Sequence, residues 1–122
     1  MTEDLARRAI VCPGWQWMPG MRCTDGNRML CAGDDLDGDW QAWIYEDYDS
    51  CACKVRPYQA RDDIPDLTDP ATLGCLLALV REALDMPYLC TSVSPEGRWW
   101  VDGYSLHDTE AEALVAALEA AP

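Results

Sequence analysis

Basic residues are scarce in this sequence of 122 residues: nine lysines and arginines stand against 22 aspartates and glutamates, a formal net charge of −13. Such a surface repels the phosphates of nucleic acids and of anionic membranes, which disfavours binding to either through phosphate contacts. The same charge attracts basic protein surfaces and speeds encounter with them. A role of the charge in solubility alone stays open.

The sequence also lacks a constellation of residues for catalysis or metal binding. Its one histidine, His107, stands beside Asp108, and no thiol is placed near it, so we expect a solvent-facing histidine at a helix entrance. The seven cysteines include no CxxC pair, and Cys51-Ala-Cys53 is too closely spaced for a usual zinc site. The aspartates from Asp35 onward alternate as in a calcium loop, but Trp40 occupies the position that needs glycine. We therefore expect no catalytic residue, no metal and no cofactor.

Long apolar runs and secretion signals are absent as well. No run approaches the roughly 18 to 20 apolar residues that span a bilayer. The first residues mix acids and arginines and have no pattern typical of a signal peptide. The odd number of cysteines favours free thiols over a disulfide framework. These features predict a soluble cytosolic protein, and the length together with 49% hydrophobic residues predicts one compact domain over residues 1–122.

What the sequence does contain is a series of clear secondary-structure signals. Helical signals are apolar periodicity and capping residues, while strand and hairpin signals are alternation and tight-turn residues. The helices are predicted over residues 3–11, from Pro70 (capped by Asp69) to the breaker Met86-Pro87, and from the capping box at Thr109 onward. The strand and hairpin signals are a turn at 25–27, a longer turn at 34–39, a strand over 40–45, an edge strand over 53–58 and a hairpin around 94–97.

This order of elements predicts an α+β fold with a mostly antiparallel sheet covered by helices. Residues 40–45 and 99–101 have apolar side chains on both faces of a strand. A strand of that kind is covered on both sides or offers one face to a partner. Helices on both sides of the sheet fit this pattern better than helices on one side, so we expect an α/β/α sandwich-like arrangement.

Several stretches together resemble small phage and prophage proteins of unassigned function. They are WQWMPGMR, DGNRML, DLTDPATLGCLLALVREAL and TEAEALVAALEAAP. The order of elements is also similar to the phage α/β/α-sandwich domain family, over most of the chain and least across residues 34–66. The resemblance implies a viral accessory protein in the host bacterial cytoplasm. Proteins of this kind are often counter-defence factors, either sponges for immune nucleotide signals or acidic inhibitors of nucleases such as the CRISPR machinery.

Flat aromatic side chains and arginines occur together in two segments, which is what binding a nucleotide requires. Trp99 and its neighbour Trp100 must point to opposite faces of a strand, so one of them needs a cover. We therefore expect a non-enzymatic phage accessory protein that sequesters a small nucleotide-type immune signal. A tryptophan-rich core corner is the alternative. The candidate ligand-binding residues are Trp15, Trp17, Met18, Met21, Arg22, Arg98 and Trp99.

The acidic tract from Asp34 to Asp49 supports a different function: the protein would be an inhibitor of a host defence nuclease, such as an anti-CRISPR. Spaced carboxylates with large rigid aromatics form a plausible docking surface for a basic host protein and could mimic a nucleic-acid backbone. A solvated edge strand is the structural alternative, and a homo-oligomer stays open. The candidate docking residues are Asp34, Asp35, Asp37, Asp39, Trp40 and Trp43.

The two tryptophans of WQWMPG raise a separate expectation about packing. Pro19-Gly20 directly after them favours a turn, and a turn lets neighbouring side chains diverge. We therefore expect one of Trp15 and Trp17 to pack into the domain and the other to lie at a pocket rim or a subunit interface.

Overall fold

The computed structural model describes residues 2–34, 36–46, 54–101 and 106–122, and in these residues it contains three helices and two antiparallel sheets. The predicted α+β class with antiparallel pairing is confirmed. No helix among the described residues is both long and apolar enough to cross a membrane. The elements are α1 (Thr2–Ile10), β1 (Arg28–Asp34), β2 (Trp40–Glu46), β3 (Lys54–Pro57), α2 (Pro70–Ala83), β4 (Thr91–Val93), β5 (Trp99–Val101) and α3 (Glu110–Ala120).

The chain divides into two compact units. The first, which we call the helical unit, comprises Met1–Gln16 and Leu73–Pro122; the second, the sheet unit, comprises Trp17–Thr72. The strands lie in two separate sheets, β1-β2-β3 in the sheet unit and β4-β5 in the helical unit. The sequence predicts a single domain over residues 1–122 and an α/β/α layering. Each of these predictions involves the two units together, and each stays a prediction.

The sheet unit is built on two consecutive hairpins with clear turn chemistry. In the first, the Cys23 N–H donates to the Asn27 carbonyl over 2.7 Å and the Asn27 N–H to Asp25 Oδ1 over 3.0 Å. Gly26 there has φ +93°, a conformation that other residues adopt at a cost. The second hairpin joins β1 to β2 in antiparallel register, with Asp34 opposite Trp40. Both hairpins confirm the turns predicted from the sequence.

The two faces of β2 differ in burial. Ala42 and Ile44 face the core of the sheet unit together with Met29 of β1, and all three are buried. Trp43 lies on the opposite face, between Cys31 of β1 and Pro57 of β3 in the register of the sheet. This alternation is the pattern of an antiparallel sheet that is covered on one face.

The helical unit packs α3 against α1 and against β5. Leu114, Val115 and Leu118 of α3 are buried, as predicted from the spacing of its apolar residues. The Thr109 hydroxyl accepts a hydrogen bond from the Glu112 N–H over 3.1 Å, so the predicted cap of this helix is confirmed.

Asp69 caps α2, as the sequence predicts. Its Oδ2 atom accepts hydrogen bonds of 3.0 Å from both the N–H and the hydroxyl of Thr72. Both carboxylate oxygens also accept from the Arg28 guanidinium over 3.1 Å. These Arg28 hydrogen bonds lower the pKa of the Asp69 carboxyl, against the opposing effect of its burial. The start of β1 is thereby attached to the start of α2.

A second carboxylate, Asp63, is completely buried. It accepts hydrogen bonds from Arg56 of β3 over 2.6 and 2.8 Å and from the Gln59 N–H over 2.6 Å. Burial alone would raise the pKa of Asp63, but the hydrogen bonds from Arg56 and Gln59 outweigh it, so the pKa lies below its ordinary value. This pair holds the segment after β3 against the sheet.

The Asp63→Asn variant is expected to lose about 3 to 5 kcal/mol of unfolding free energy, because it leaves the guanidinium of Arg56 without its buried counter-charge. Urea titration followed by tryptophan fluorescence measures the loss. Asp62→Asn, at the exposed neighbouring residue, is the matched control and should unfold like the wild type. Equal midpoints for all three proteins would contradict a structural role of the pair.

The lowered pKa values of Asp63 and Asp69 predict a direction for the effect of pH. A carboxyl whose pKa is lower in the folded state contributes stability above its unfolded pKa of about 3.9 and loses it as pH falls through the folded value. The unfolding free energy should therefore fall below about pH 4. Circular dichroism against pH should show a shallower acid decline for Asp63→Asn than for the wild type.

Candidate functional site

The end of the β1–β2 hairpin is the most acidic exposed feature that the structure describes. Asp34, Asp37 and Asp39 are all exposed at this turn, and Leu36 between them is fully exposed. Asp35, the remaining predicted carboxylate, lies outside the described residues. We call residues 34–40 of this hairpin the acidic tip. Five of the predicted docking residues are described, and four of them, Asp34, Asp37, Asp39 and Trp40, lie together at one exposed turn.

The side chain of Trp40, at the acidic tip, is 49% exposed, but it also packs against a neighbouring ring. Its ring packs edge-on against Tyr58, with centroids 5.4 Å apart and planes at 84°. Tyr58 in turn packs against Trp17 at 5.4 Å and 60°, and Trp17 is only 8% exposed. We call Trp17, Tyr58 and Trp40 the aromatic column, since it runs from the buried part of the sheet unit to its surface.

The middle ring of the column is held by polar contacts as well as by packing. Burial raises the pKa of the Tyr58 phenol, and a hydrogen bond with the Trp17 side chain opposes that effect. The Tyr58 N–H also donates to the Ala42 carbonyl over 2.9 Å, which fixes the main chain directly after β3. Tyr58, against which the exposed Trp40 ring packs, is therefore held in place through both its main chain and its side chain.

Trp43 lies on the outer face of the same strand. It is exposed by more than a third, and Val55 on the neighbouring strand is also exposed. Since β2 pairs with β3 in register through Trp43 and Pro57, this outer face is a patch of apolar side chains beside the acidic tip. The sequence predicts that β2 is covered on both faces or offers one of them to a partner, and Trp43 lies on a face that is exposed.

The predicted nucleotide-binding residues between 17 and 22 have mixed environments. Met21 is completely buried, Trp17 is buried in the aromatic column, and Met18 is half-buried. Arg22 is exposed, and its N–H donates to the Thr72 hydroxyl over 2.8 Å. Of the four, only Arg22 and part of Met18 can be reached from the surface.

The two remaining predicted ligand residues, Arg98 and Trp99, belong to the helical unit, as does the half-buried Trp15. The Arg98 guanidinium lies 3.5 Å from Asp108 and donates to the Leu106 carbonyl over 3.3 Å. Its charge is thus directed at an acidic side chain and a carbonyl of the segment before α3. Trp99 pairs with His107 through two main-chain hydrogen bonds of 2.7 Å.

The thiols that the structure describes differ in environment. Cys12, Cys23, Cys31 and Cys90 are free, and Cys12 and Cys23 are buried. Burial, and then the charges of Asp63 and Asp25, raise the pKa of the Cys23 thiol to about 12, which keeps it protonated. The residues that the structure describes contain no group of three metal-ligating side chains.

Sequence reasoning missed two members of this site. Tyr58, the middle of the aromatic column, follows Pro57 at the end of an edge strand, and its place between two tryptophans depends on the pairing of β2 with β3. Leu36 gives no signal in the sequence, because a single leucine in a polar turn is common. Its complete exposure between aspartates is visible only in the folded hairpin.

Comparisons with known proteins add nothing to this geometry: no family model, no curated protein and no solved structure matches the chain. The resemblance to phage proteins therefore stays a prediction, as do the absence of a cofactor and the non-enzymatic assignment. The features of the sheet unit that bear on function are the acidic tip and the aromatic column, together with the negative charge of the chain.

Truncation of the two ends of the aromatic column should have different effects on stability. Trp17→Ala removes a buried ring and is expected to cost about 3 to 5 kcal/mol, whereas Trp40→Ala removes a half-exposed one and should shift the melting temperature by only a few degrees. Trp15→Ala, at a half-buried ring, should cost less than Trp17→Ala. Thermal melts by circular dichroism test the order, and equal losses for Trp17 and Trp40 would show that the column is entirely core.

Proposed function

We propose that this protein is a non-enzymatic binding protein that docks its acidic tip and Trp40 onto a basic protein surface. The observation that supports this most is the position of Trp40: a half-exposed ring, backed by the aromatic column, at a turn that carries exposed carboxylates. Aromatic side chains that are held rigid and become buried on association are the usual anchors of protein interfaces. The carboxylates around the ring then select a partner of positive charge.

The charge of the whole chain supports the same partner class. With a formal net charge of −13, the protein attracts a basic surface over a distance of about one Debye length and speeds the encounter. Two arginines of the sheet unit, Arg28 and Arg56, make bidentate contacts with the buried Asp69 and Asp63. Two of the five basic residues of this unit are therefore directed at buried carboxylates and not at the acidic tip.

The resemblance to phage proteins suggests which basic partner this is. A bacterial defence enzyme that binds nucleic acid has a groove whose basic side chains are spaced to contact phosphates. A row of carboxylates with aromatic neighbours can occupy such a groove. On this hypothesis the protein acts in the host cytoplasm as an acidic inhibitor of a defence nuclease, the class that includes anti-CRISPR proteins.

Sequestration of a nucleotide-type immune signal is the second proposal. Its support is the exposed Arg22, on the segment that also contains the half-buried Met18 and, earlier in sequence, Trp15 and Trp17. Calorimetry with cyclic and ADP-ribose-derived nucleotides tests it. A dissociation constant below about 10 µM is expected of a sponge, because it competes with a tight receptor. Heat signals for none of the nucleotides would remove this proposal.

The docking proposal predicts that binding depends on three carboxylates of the acidic tip. The triple variant Asp34→Asn, Asp37→Asn, Asp39→Asn should lose capture of a defined basic host protein from lysate, mainly through a slower association rate and a weaker dependence on salt. Trp40→Ala should instead speed dissociation, since it removes an anchor and not a steering charge. Surface plasmon resonance with the purified partner separates the two rates.

A second triple variant with the same change in net charge is the matched control. Asp62→Asn, Glu82→Gln and Glu96→Gln alter exposed carboxylates outside the acidic tip. This protein should bind like the wild type at physiological salt, where distant charges are largely screened. Equal losses in both triple variants would mean that net charge alone drives association. Unchanged binding of the acidic-tip variant at low salt would rule out docking through this turn.

A further inference from the structure

The helical unit contains a concavity that the proposed function does not use. Its volume is about 440 Å³, within the range of small-molecule sites. One wall is the turn after α2, which contributes Met86, Pro87, Tyr88 and Cys90; the other is the β4–β5 hairpin, which contributes Ser92 and Trp100. All of these residues belong to one compact unit, so the site is complete within it.

The turn that forms the first wall is held in place by the end of α2. Asp85 has φ +53°, the left-handed conformation that closes a helix, and the Met86 N–H donates to the Arg81 carbonyl over 2.9 Å. The Arg81 side chain donates from Nε to the Leu89 carbonyl over 2.8 Å, and Leu89 is itself buried. The wall is therefore fixed before any ligand arrives, which lowers the entropic cost of binding.

The second wall follows from the alternation of β5. Val101 is completely buried on the side that packs against α3, and Trp99 shares that face because it is two residues away. Trp100 points to the opposite face, where it stands across from Ser92 and lines the concavity. The sequence predicts that one of these tryptophans needs a cover, and Trp100 is the one whose face opens on the concavity.

Tyr88 stands at the rim of the same concavity and is 92% exposed. An aromatic ring so fully exposed contributes almost nothing to the core of the unit. Beside a fixed apolar wall it is placed to close over a bound molecule, since a tyrosine immobilises with little loss of entropy. The concavity thus offers one half-buried aromatic ring and one free ring.

The chemistry of the lining limits the ligand. None of the described residues that line the concavity carries a charge, and the chain as a whole is strongly acidic. A phosphate or carboxylate placed here would meet no cation and a repulsive field. Rings of Trp and Tyr stack on flat ring systems, and the Ser92 hydroxyl can both donate and accept one hydrogen bond.

We infer that this concavity binds an uncharged planar ring system of about the size of a purine, between Trp100 and Tyr88. The site lies in the helical unit and uses no residue of the acidic tip, so it goes beyond the docking function and stands or falls separately from it. The inference rests on the fixed turn, the orientation of Trp100 and the exposed rim tyrosine.

Adenosine and adenosine 5′-monophosphate are the probes, because they differ only in the charged group. Ligand-observed saturation-transfer NMR on the full chain should show saturable binding of adenosine with a dissociation constant below about 1 mM. The monophosphate should bind more weakly at about 0.01 M salt, and the difference should shrink at about 0.5 M as its charge is screened. Absence of saturable adenosine binding, or tighter binding of the monophosphate at low salt, would overturn the inference.

Variants at the rim of the concavity and on the opposite face of β4 locate the binding. Tyr88→Ala should weaken adenosine binding by roughly tenfold without loss of stability, because the ring stacks on the ligand and little else. Tyr88→Phe should retain it. Val93→Ala is the matched control, since Val93 is 52% exposed in β4 and lies on the face opposite to Ser92. Equal affinities of Tyr88→Ala and the wild type would place the probe elsewhere and contradict the site.

Discussion

The paired hydrogen bonds between Arg28 and Asp69 hold together three parts of the sheet unit that are distant in sequence. Asp69 caps the first turn of α2, Arg28 opens β1, and the same guanidinium donates to the Gly20 carbonyl over 2.9 Å. The chain after WQWMPG is thereby fixed to the start of both a strand and a helix. The hairpin that carries the acidic tip begins at this point, and this ion pair is one of the contacts that fix its direction, beside the main-chain hydrogen bonds from Gly20 to Met29 and from Met29 to Met21.

The sheet unit has charged side chains in two kinds of place: in buried ion pairs and on the exposed surface. The few arginines of the sheet unit are directed in part to buried carboxylates, Asp63 and Asp69, while exposed carboxylates at the acidic tip face the solvent. The net contribution of an intact buried pair to stability is small, because the cost of desolvating two charges offsets their attraction, whereas the loss of one partner is costly. Each pair is neutral and leaves the net charge of the exterior unchanged, but its guanidinium is directed at a buried carboxylate and not at the acidic tip.

Local signals in the sequence predict the local structure well. Asp69 before Pro70, the capping box at Thr109, and the glycine turns at 25–27 and 94–97 all rest on contacts between residues a few positions apart, and the structure has each of them. Tyr58 and Asp63 lie in a stretch without periodicity, and their partners are Trp17 and Arg56, one far along the chain and one on an edge strand. Contacts of that kind depend on the pairing of β2 with β3. The concavity beside Trp100 likewise depends on contacts between segments that are separate in sequence. The sequence therefore predicts only that one face of this strand lacks a cover.

The cysteines differ in burial in a way that matters for handling the protein at the bench. Cys12 and Cys23 are buried, and burial raises the pKa of both thiols, whereas Cys31 and Cys90 are exposed. Oxidants and alkylating reagents act on accessible thiolates, so Cys12 and Cys23 are protected while the native fold persists. A maleimide dye added to the native protein would reach Cys31, on the outer face of β1 across from Trp43, and Cys90, at the rim of the concavity. The fold thus supplies a reporter thiol beside each of the two proposed binding surfaces.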